Sequence, residues 1–197
     1  MGLSFSSPPP GANLTVVEVG RIVDAAKRHQ FQAMTDLNCI PTLFRAAAIS
    51  VDDERRINRA IEACQHAFRD DFTIYTHEVL AALALTCRDA PWEARAHMLF
   101  HVFSGAGTEE MGHEDFMLAA QVVAVALSRL WDTPRWCSQT TSKLTEALAD
   151  SAFLKMEKEI DEGIDRATFV QWVTRRFPET ATVVSLEALR GLYQQPS

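Results

Sequence analysis

Acidic side chains at alternating positions carry the clearest chemical signal in this sequence. In the twelve-residue segment 157–168, positions 1, 3, 5 and 9 are Glu157, Glu159, Asp161 and Asp165. Carboxylate oxygens at such positions are ligands that Ca²⁺ and Mg²⁺ prefer, and a calcium loop of this length also needs an acid at position 12 and Gly at position 6. Position 12 is instead Thr168, and Gly163 lies at position 7. We therefore predict a solvated acidic turn without a metal ion, and a weak divalent site on these carboxylates is the alternative.

The remaining reactive side chains form no recognisable catalytic or metal-binding pattern. His97 and His101 are four residues apart, a spacing that can chelate zinc, but no second pair of Cys or His is placed to complete a tetrahedron. No phosphate-binding, dinucleotide-binding, serine-hydrolase or zinc-protease motif occurs. The formal charge of −7 and the dispersed basic residues argue against nonspecific nucleic-acid binding. We expect a non-enzymatic protein without a cofactor, and weakly bound Ca²⁺ or Mg²⁺ is the alternative.

The amino terminus matches the pattern for N-myristoylation. Removal of Met1 would expose Gly2 as the acceptor, and Ser6 stands where that pattern needs Ser or Thr. One myristoyl chain gives only marginal, reversible membrane binding, and no basic run or early Cys follows as a second signal. Residues 1–14 contain consecutive prolines and are expected to form a flexible leash. We expect a cytoplasmic protein: myristoylation of Gly2 would make it weakly peripheral on a membrane, and a flexible start without an acyl chain is the alternative.

Capping signals and apolar periodicity predict an all-α fold. Thr15 and Glu18 form a capping box at the first helix, and no segment alternates with period two over the length of a strand. Residues 132–141 are the best candidate linker between a helical region over 15–131 and a last unit over 142–197. The predicted helices cover about 15–29, 41–49, 51–68, 76–87, 89–103, 113–131, 142–158, 166–176 and 178–193.

A repeated frame relates the loops between these helices. An apolar residue at the eighth position of each loop is expected to pair across a short β-bridge, and the candidates are Ile40, Ile74, Met111 and Ile164. They define twelve-residue loops at 33–44, 67–78, 104–115 and 157–168. Most calcium ligands are missing from the first three loops, although Glu78 and Asp115 retain an acid at position 12.

This frame resembles the EF-hand superfamily, in particular the branch of neuronal calcium sensors and calcineurin-B-like proteins, in which Gly2 is also commonly myristoylated. A weaker resemblance, carried by residues 169–173 and 178–189, is to the EF-hand-like helical region of myristoylated TLDc-domain proteins. The resemblance implies two pairs of helix–loop–helix units with degenerate loops, followed by a C-terminal helix.

The function that the resemblance implies is protein binding. Paired units of this kind open a hydrophobic groove for the amphipathic helix of a partner or a neighbouring subunit, and lost ligands make the groove independent of calcium. We therefore predict a calcium-independent interaction module or scaffold, or a constitutive subunit of a larger assembly. A regulatory sensor with a weak Ca²⁺ or Mg²⁺ site in loop 157–168 is the alternative.

Two sets of apolar residues belong to this predicted groove. The last predicted helix can fill the groove with a stripe at helical spacing, formed by Val183, Val184, Leu186, Leu189 and Leu192. The groove itself is expected to be lined by Trp92, Phe100, Phe103, Phe116, Phe169 and Trp172. For the tryptophans, burial in the core is the alternative.

Overall fold

Helices dominate the structure. The computed structural model describes residues 9–29, 33–34, 37–49, 54–68, 74–88, 90–105, 108–130 and 138–176. Over these ranges the all-α class is confirmed. The helices are α1 (Val16–Arg28), α2 (Cys39–Ala46), α3 (Glu54–Ala67), α4 (Thr76–Thr86), α5 (Trp92–Phe103), α6 (His113–Leu130), α7 (Ser138–Lys155) and α8 (Arg166–Arg176). The strands are β1 (Ala33–Met34), β2 (Ile74–Tyr75), β3 (Glu110–Met111) and β4 (Ile164–Asp165).

Local signals place most helix ends correctly. The capping box at α1 forms as predicted: the Glu18 amide donates to Thr15 Oγ1 at 3.3 Å, and the Thr15 amide donates to Glu18 Oε2 at 2.8 Å. Helix α7 begins at Ser138, so residues 138–141 of the predicted linker are helical. Ser and Thr cost only about 0.7 kcal/mol or less in a helix, and the packing of α7 on α6 overrides that preference. The predicted helix over 178–193 lies outside the described residues.

Two antiparallel bridges join the loops in pairs. Met111 lies opposite Ile164, which confirms that prediction, and Ile74 is also a bridge residue. The prediction for Ile40 is wrong, because Met34 lies opposite Ile74. Ile40 is instead buried on the core face of α2, where its helical spacing to the following apolar residues sets its position. A twelve-residue frame with Met34 at its eighth position would span 27–38.

The centre of the core is α4, which is buried along almost its whole length. A helix that is apolar on all sides is typical of a protein interior, and the small side chains of Ala81, Ala82 and Ala84 allow neighbouring helices to approach closely. Helix α4 contacts α1, α5 and α6, while α7 packs mainly on α6 and α8 mainly on α5. The two bridged pairs therefore share one continuous core.

Residues 9–14 differ from the flexible leash that was predicted for 1–14. The Gly11 amide donates to Thr86 Oγ1 at 2.7 Å, and the Arg88 amide donates to the Leu14 carbonyl at 2.8 Å. Leu14 is fully buried. The consecutive prolines prevent a helix here, as expected, but the segment is compact enough to form a turn against the end of α4.

Membrane attachment was predicted only through an acyl chain on Gly2. That residue lies outside the described ranges, so its myristoylation stays a prediction. None of the helices in the described ranges combines the length and the apolar character needed to cross a bilayer.

Candidate functional site

Of the six aromatic residues predicted to line a groove, four belong to one cluster of packed rings: Phe100, Phe116, Phe169 and Trp172. Phe116 of α6 lies edge-on to Phe153 of α7 at a centroid distance of 5.9 Å, to Phe169 at 6.0 Å and to Trp172 at 5.4 Å. Phe100 contacts Phe169 at 5.6 Å. Among the six predicted residues, those that are at most 5% exposed are Phe100, Phe103, Phe116 and Phe169. These four are core residues, because rings on adjacent helices gain more from packing against one another than from facing water.

An open cleft does lie nearby, between the start of α5 and one face of α8. Its volume is about 460 Å³. Helix α8 is two-sided: Phe169 and Val173 are buried in the core, while its opposite face turns to the cleft. Of the six residues predicted for the groove, Trp92 lines this cleft, and it is half-buried. The lining residues are Pro91, Trp92, Glu93, His97, Ala167, Val170, Gln171 and Thr174.

The lining of the cleft mixes apolar surface with a few polar groups. Glu93 supplies a carboxylate, His97 an imidazole and Gln171 a carboxamide. The Thr174 hydroxyl is turned back onto its own helix, where it donates to the Val170 carbonyl at 2.8 Å. An apolar groove with scattered polar groups suits an amphipathic helix, whose apolar face enters while polar residues meet the rim.

The first predicted metal ligand, Glu157, serves to end α7. Its φ is 56°, in the left-handed region where Gly is usual. The Lys158 amide donates to the Phe153 carbonyl at 3.0 Å, and the Glu157 amide donates to the Leu154 carbonyl at 3.2 Å. This pair of bonds is the Schellman motif, which satisfies the last carbonyls of a helix. The backbone of Glu157 is therefore fixed by the helix end.

Asp165 caps the following helix. Its Oδ1 accepts from the Thr168 amide at 2.9 Å, and its Oδ2 accepts from the Thr168 hydroxyl at 2.7 Å. These hydrogen bonds hold the pKa of Asp165 below its usual range, against a small opposing effect of burial. In the same loop, the Glu159 amide donates to Glu162 Oε2 at 3.1 Å, and Asp161 is exposed.

The predicted ligands therefore do not converge on one point. Across the described ranges, no three His, Cys, Asp or Glu side chains lie where they could hold one metal ion. His97 and His101 diverge as well, because His101 Nε2 is 2.7 Å from Asp24 Oδ1 while His97 lies at the cleft. A weak divalent site in loop 157–168 stays an untested alternative.

Two polar groups in loop 104–115, the Ser104 carbonyl and the Asp115 carboxylate, also form hydrogen bonds within the fold. The Lys27 ammonium donates to the Ser104 carbonyl at 2.9 Å, at the end of α5. Burial lowers the pKa of Lys27, and the nearby Asp24 carboxylate partly opposes that effect. Asp115 Oδ2 accepts from the Gly112 amide at 3.3 Å, which closes the start of α6.

Glu78, the acid retained at position 12 of loop 67–78, is buried and forms an ion pair with Arg129. Arg129 lies in the last turn of α6, 51 residues along the chain. Its guanidinium also lies over the Phe68 ring, with 5.0 Å between the guanidinium carbon and the ring centroid. One cationic side chain therefore contacts residues near both ends of this loop.

Basic residues were the part of the site that sequence reasoning missed. Besides Arg129, Arg95 donates to the Leu85 and Cys87 carbonyls at 2.7 and 3.1 Å and so closes the end of α4. Arg56 pairs with Glu18 across two helices. Burial raises the pKa of Glu18, but hydrogen bonds from Thr15 and the Arg56 guanidinium outweigh burial and lower it. A lone Arg within an apolar helical pattern, as at Arg129, was the available signal.

Comparison with protein-family models, with curated proteins and with solved structures found no match. The interpretation of this chain therefore rests on its own residues and geometry.

Proposed function

We propose that this chain is a non-enzymatic, calcium-independent protein-interaction module on an EF-hand-like frame, acting alone or as a constitutive subunit of a larger assembly. The observation that carries this proposal is the open cleft of about 460 Å³ between α5 and α8. In the loops, the carboxylates and carbonyls that could bind a metal ion instead cap helix ends or pair with basic side chains. Such a cleft can take apolar side chains of a docked helix without a metal ion to open it.

The pairing of the helices supports the EF-hand-like part of the proposal. Strand β1 lies between α1 and α2, and its partner β2 lies between α3 and α4. The same arrangement recurs for β3 between α5 and α6 and for β4 between α7 and α8. With the first loop at 27–38, the eighth position of every loop is an apolar bridge residue. Two bridged pairs of helix–loop–helix units are what the resemblance implies.

The proposed occupant of the cleft is an amphipathic helix, supplied first by the chain itself. Thr174 lines the cleft only four residues before Pro178, where the predicted C-terminal helix begins. That segment carries an apolar stripe at helical spacing, as an occupant of the cleft would need. A partner helix with the same apolar stripe would compete with this C-terminal segment for the cleft. Only a ligand that displaces the segment could then bind there.

Deletion of residues 178–197 is the direct test of this arrangement. The shortened chain should bind more of a dye that reports exposed apolar surface, because the cleft has lost its cover. A synthetic peptide of residues 178–197 should bind the shortened chain and reverse the dye signal. Unchanged dye binding together with no peptide binding would contradict the proposal.

A matched pair of substitutions localises that binding. Gln171→Trp in the shortened chain fills the cleft and should weaken peptide binding at least about tenfold, which corresponds to about 1.4 kcal/mol. Leu154→Trp places the same side chain at a position of α7 that is 77% exposed and does not line the cleft, and should leave affinity unchanged. Equal effects of the two variants would place the peptide elsewhere.

Calorimetric titration with Ca²⁺ and Mg²⁺ separates this proposal from the sensor alternative. We expect no binding heat and no change in tryptophan fluorescence up to millimolar ion, because Glu157 and Asp165 are fixed at helix ends. Micromolar binding that is removed by Asp161→Ala would establish the regulatory sensor instead. The exposed Asp161 is a suitable probe, because no helix end depends on it.

A further inference from the structure

The segment 9–14 holds the end of α4 at two points. The Gly11 amide donates to Thr86 Oγ1 at 2.7 Å. Three residues further along the segment, the Leu14 carbonyl accepts from the Arg88 amide at 2.8 Å. The Leu14 side chain is fully buried, so the contact combines hydrogen bonds with apolar packing. The segment therefore fixes the last residue of α4 and the chain just beyond it.

Arg95 binds the same helix end from α5. Its guanidinium donates to the Leu85 carbonyl at 2.7 Å and to the Cys87 carbonyl at 3.1 Å. Carbonyls at the end of a helix have no partner within the helix, and a forked guanidinium can bind two of them at once. Arg95 lies in the first turn of α5, where its own amide donates to the Pro91 carbonyl at 3.2 Å. One side chain therefore joins the end of α4 to the start of α5.

The start of α5 forms one wall of the cleft. Pro91, Trp92 and Glu93 line the cleft there. Pro91 comes three residues after Arg88, whose amide binds the segment 9–14. A binding site that is held in its bound geometry in advance loses less entropy when a ligand docks, and it therefore binds more tightly. Contacts that fix the end of α4 thus also help to hold this wall ready for a helix.

We propose that the segment 9–14 holds the α5 wall of the cleft in its helix-binding position, and that release of the segment from α4 lowers the affinity of the cleft. The link runs from Gly11 through the end of α4 and the Arg95 guanidinium to the first turn of α5. This regulation rests on the proposed function, because it acts on a cleft that takes a helix. Linkage makes it reciprocal: a helix in the cleft should also hold the segment more firmly against α4.

Backbone hydrogen exchange on full-length variants tests the hold on α5. Thr86→Val replaces the hydroxyl that accepts from the Gly11 amide with a methyl group, and Leu14→Ala removes the buried side chain of the segment. Each should speed exchange of the Arg95 amide by about fivefold or more, because local opening of the first turn of α5 becomes easier. Thr86→Ser keeps the hydroxyl and should leave that exchange rate unchanged.

The C-terminal segment reports the state of the cleft in the same experiment. In the unmodified chain, amides within residues 178–193 should be protected, because this segment is the proposed occupant. Thr86→Val and Leu14→Ala should each speed their exchange by about fivefold or more. Leu148→Ala controls for a general loss of stability, because it truncates a partly buried side chain on α7.

The outcomes distinguish this proposal from the proposed function. Exchange at Arg95 that is no faster in Thr86→Val and Leu14→Ala than in Leu148→Ala would overturn the hold on α5. Faster exchange at Arg95 with unchanged protection of residues 178–193 would overturn the regulation of the cleft. Unprotected amides over 178–193 in the unmodified chain would contradict the proposed occupant, and the regulation with it, while the Arg95 amide still decides the hold on α5.

Discussion

Phe116→Ala should lower the free energy of unfolding by about 3–5 kcal/mol, a large share of what a domain usually has. The Phe116 ring is 3% exposed and contacts rings from both α7 and α8, so truncation leaves a cavity at a junction of three helices. Rigid aromatic neighbours cannot easily collapse into that space, which places the loss toward the upper part of the range. Urea unfolding followed by far-UV circular dichroism measures it.

Leu118→Ala is the matched control for this prediction. Leu118 lies two residues further along α6 and is 43% exposed, so its truncation should cost less than about 1 kcal/mol. The comparison also decides whether Phe116 is a core residue or a residue that lines a binding groove. Near-normal stability in Phe116→Ala, together with lost binding of the 178–197 peptide, would restore the open aromatic groove that the sequence suggested.

The aromatic cluster shows where prediction from this sequence stopped. Local patterns determined which residues are apolar and helical, and they placed α8 at its observed bounds. They could not say whether Phe100 and Phe169 face a neighbour or a groove, because that depends on how α5 and α8 cross. The side of α8 that stays open carries Ala167, Gln171 and Thr174, whose side chains are small or polar and give only a weak periodic signal.

The bridge residues show a similar limit. Met34 and Ile40 are both apolar and six residues apart, so spacing from the next loop did not discriminate between them. The observed choice depends on α2, whose buried face requires Ile40 together with Leu43. When two apolar residues could both be the bridge residue, the fold that buries more apolar surface decides between them. Sequence spacing alone does not measure that buried area.

Long-range charge pairing could not be predicted at all. Glu78 was recognised as an acid at a ligand position, but its partner Arg129 lies 51 residues away, and a lone Arg in an apolar helical pattern does not indicate which acid it pairs with. Arg95 and Lys27 likewise donate to carbonyls at helix ends that come together only in the folded chain. The last backbone carbonyls of a buried helix need hydrogen-bond donors from elsewhere in the chain. Which basic residues supply those donors depends on the folded geometry and cannot be read from sequence spacing.

Gly11→Ala should lower the free energy of unfolding by about 1–3 kcal/mol, toward the upper end because the obstacle is backbone. An added Cβ would lie 2.5 Å from the Leu83 carbonyl oxygen and 2.7 Å from the Cys87 nitrogen. Neither atom can move without disturbing the end of α4, which is the most buried helix of the core. The substitution should therefore detach the segment 9–14 and weaken the hydrogen bond to Thr86, which thermal and urea unfolding would register.

Gly20→Ala provides the control of opposite sign. Gly20 lies inside α1, and an added Cβ would meet only Met98 Cε at 3.6 Å, an ordinary contact. Replacement of Gly by Ala inside a helix restricts the unfolded chain and should raise stability by about 0.5–1 kcal/mol. If Gly11→Ala were neutral instead, the segment 9–14 would not be held against α4, and the leash predicted from the prolines would extend to the first helix. Opposite signs at the two glycines would show that the fold begins before its first helix, with the turn at Gly11 as part of the core.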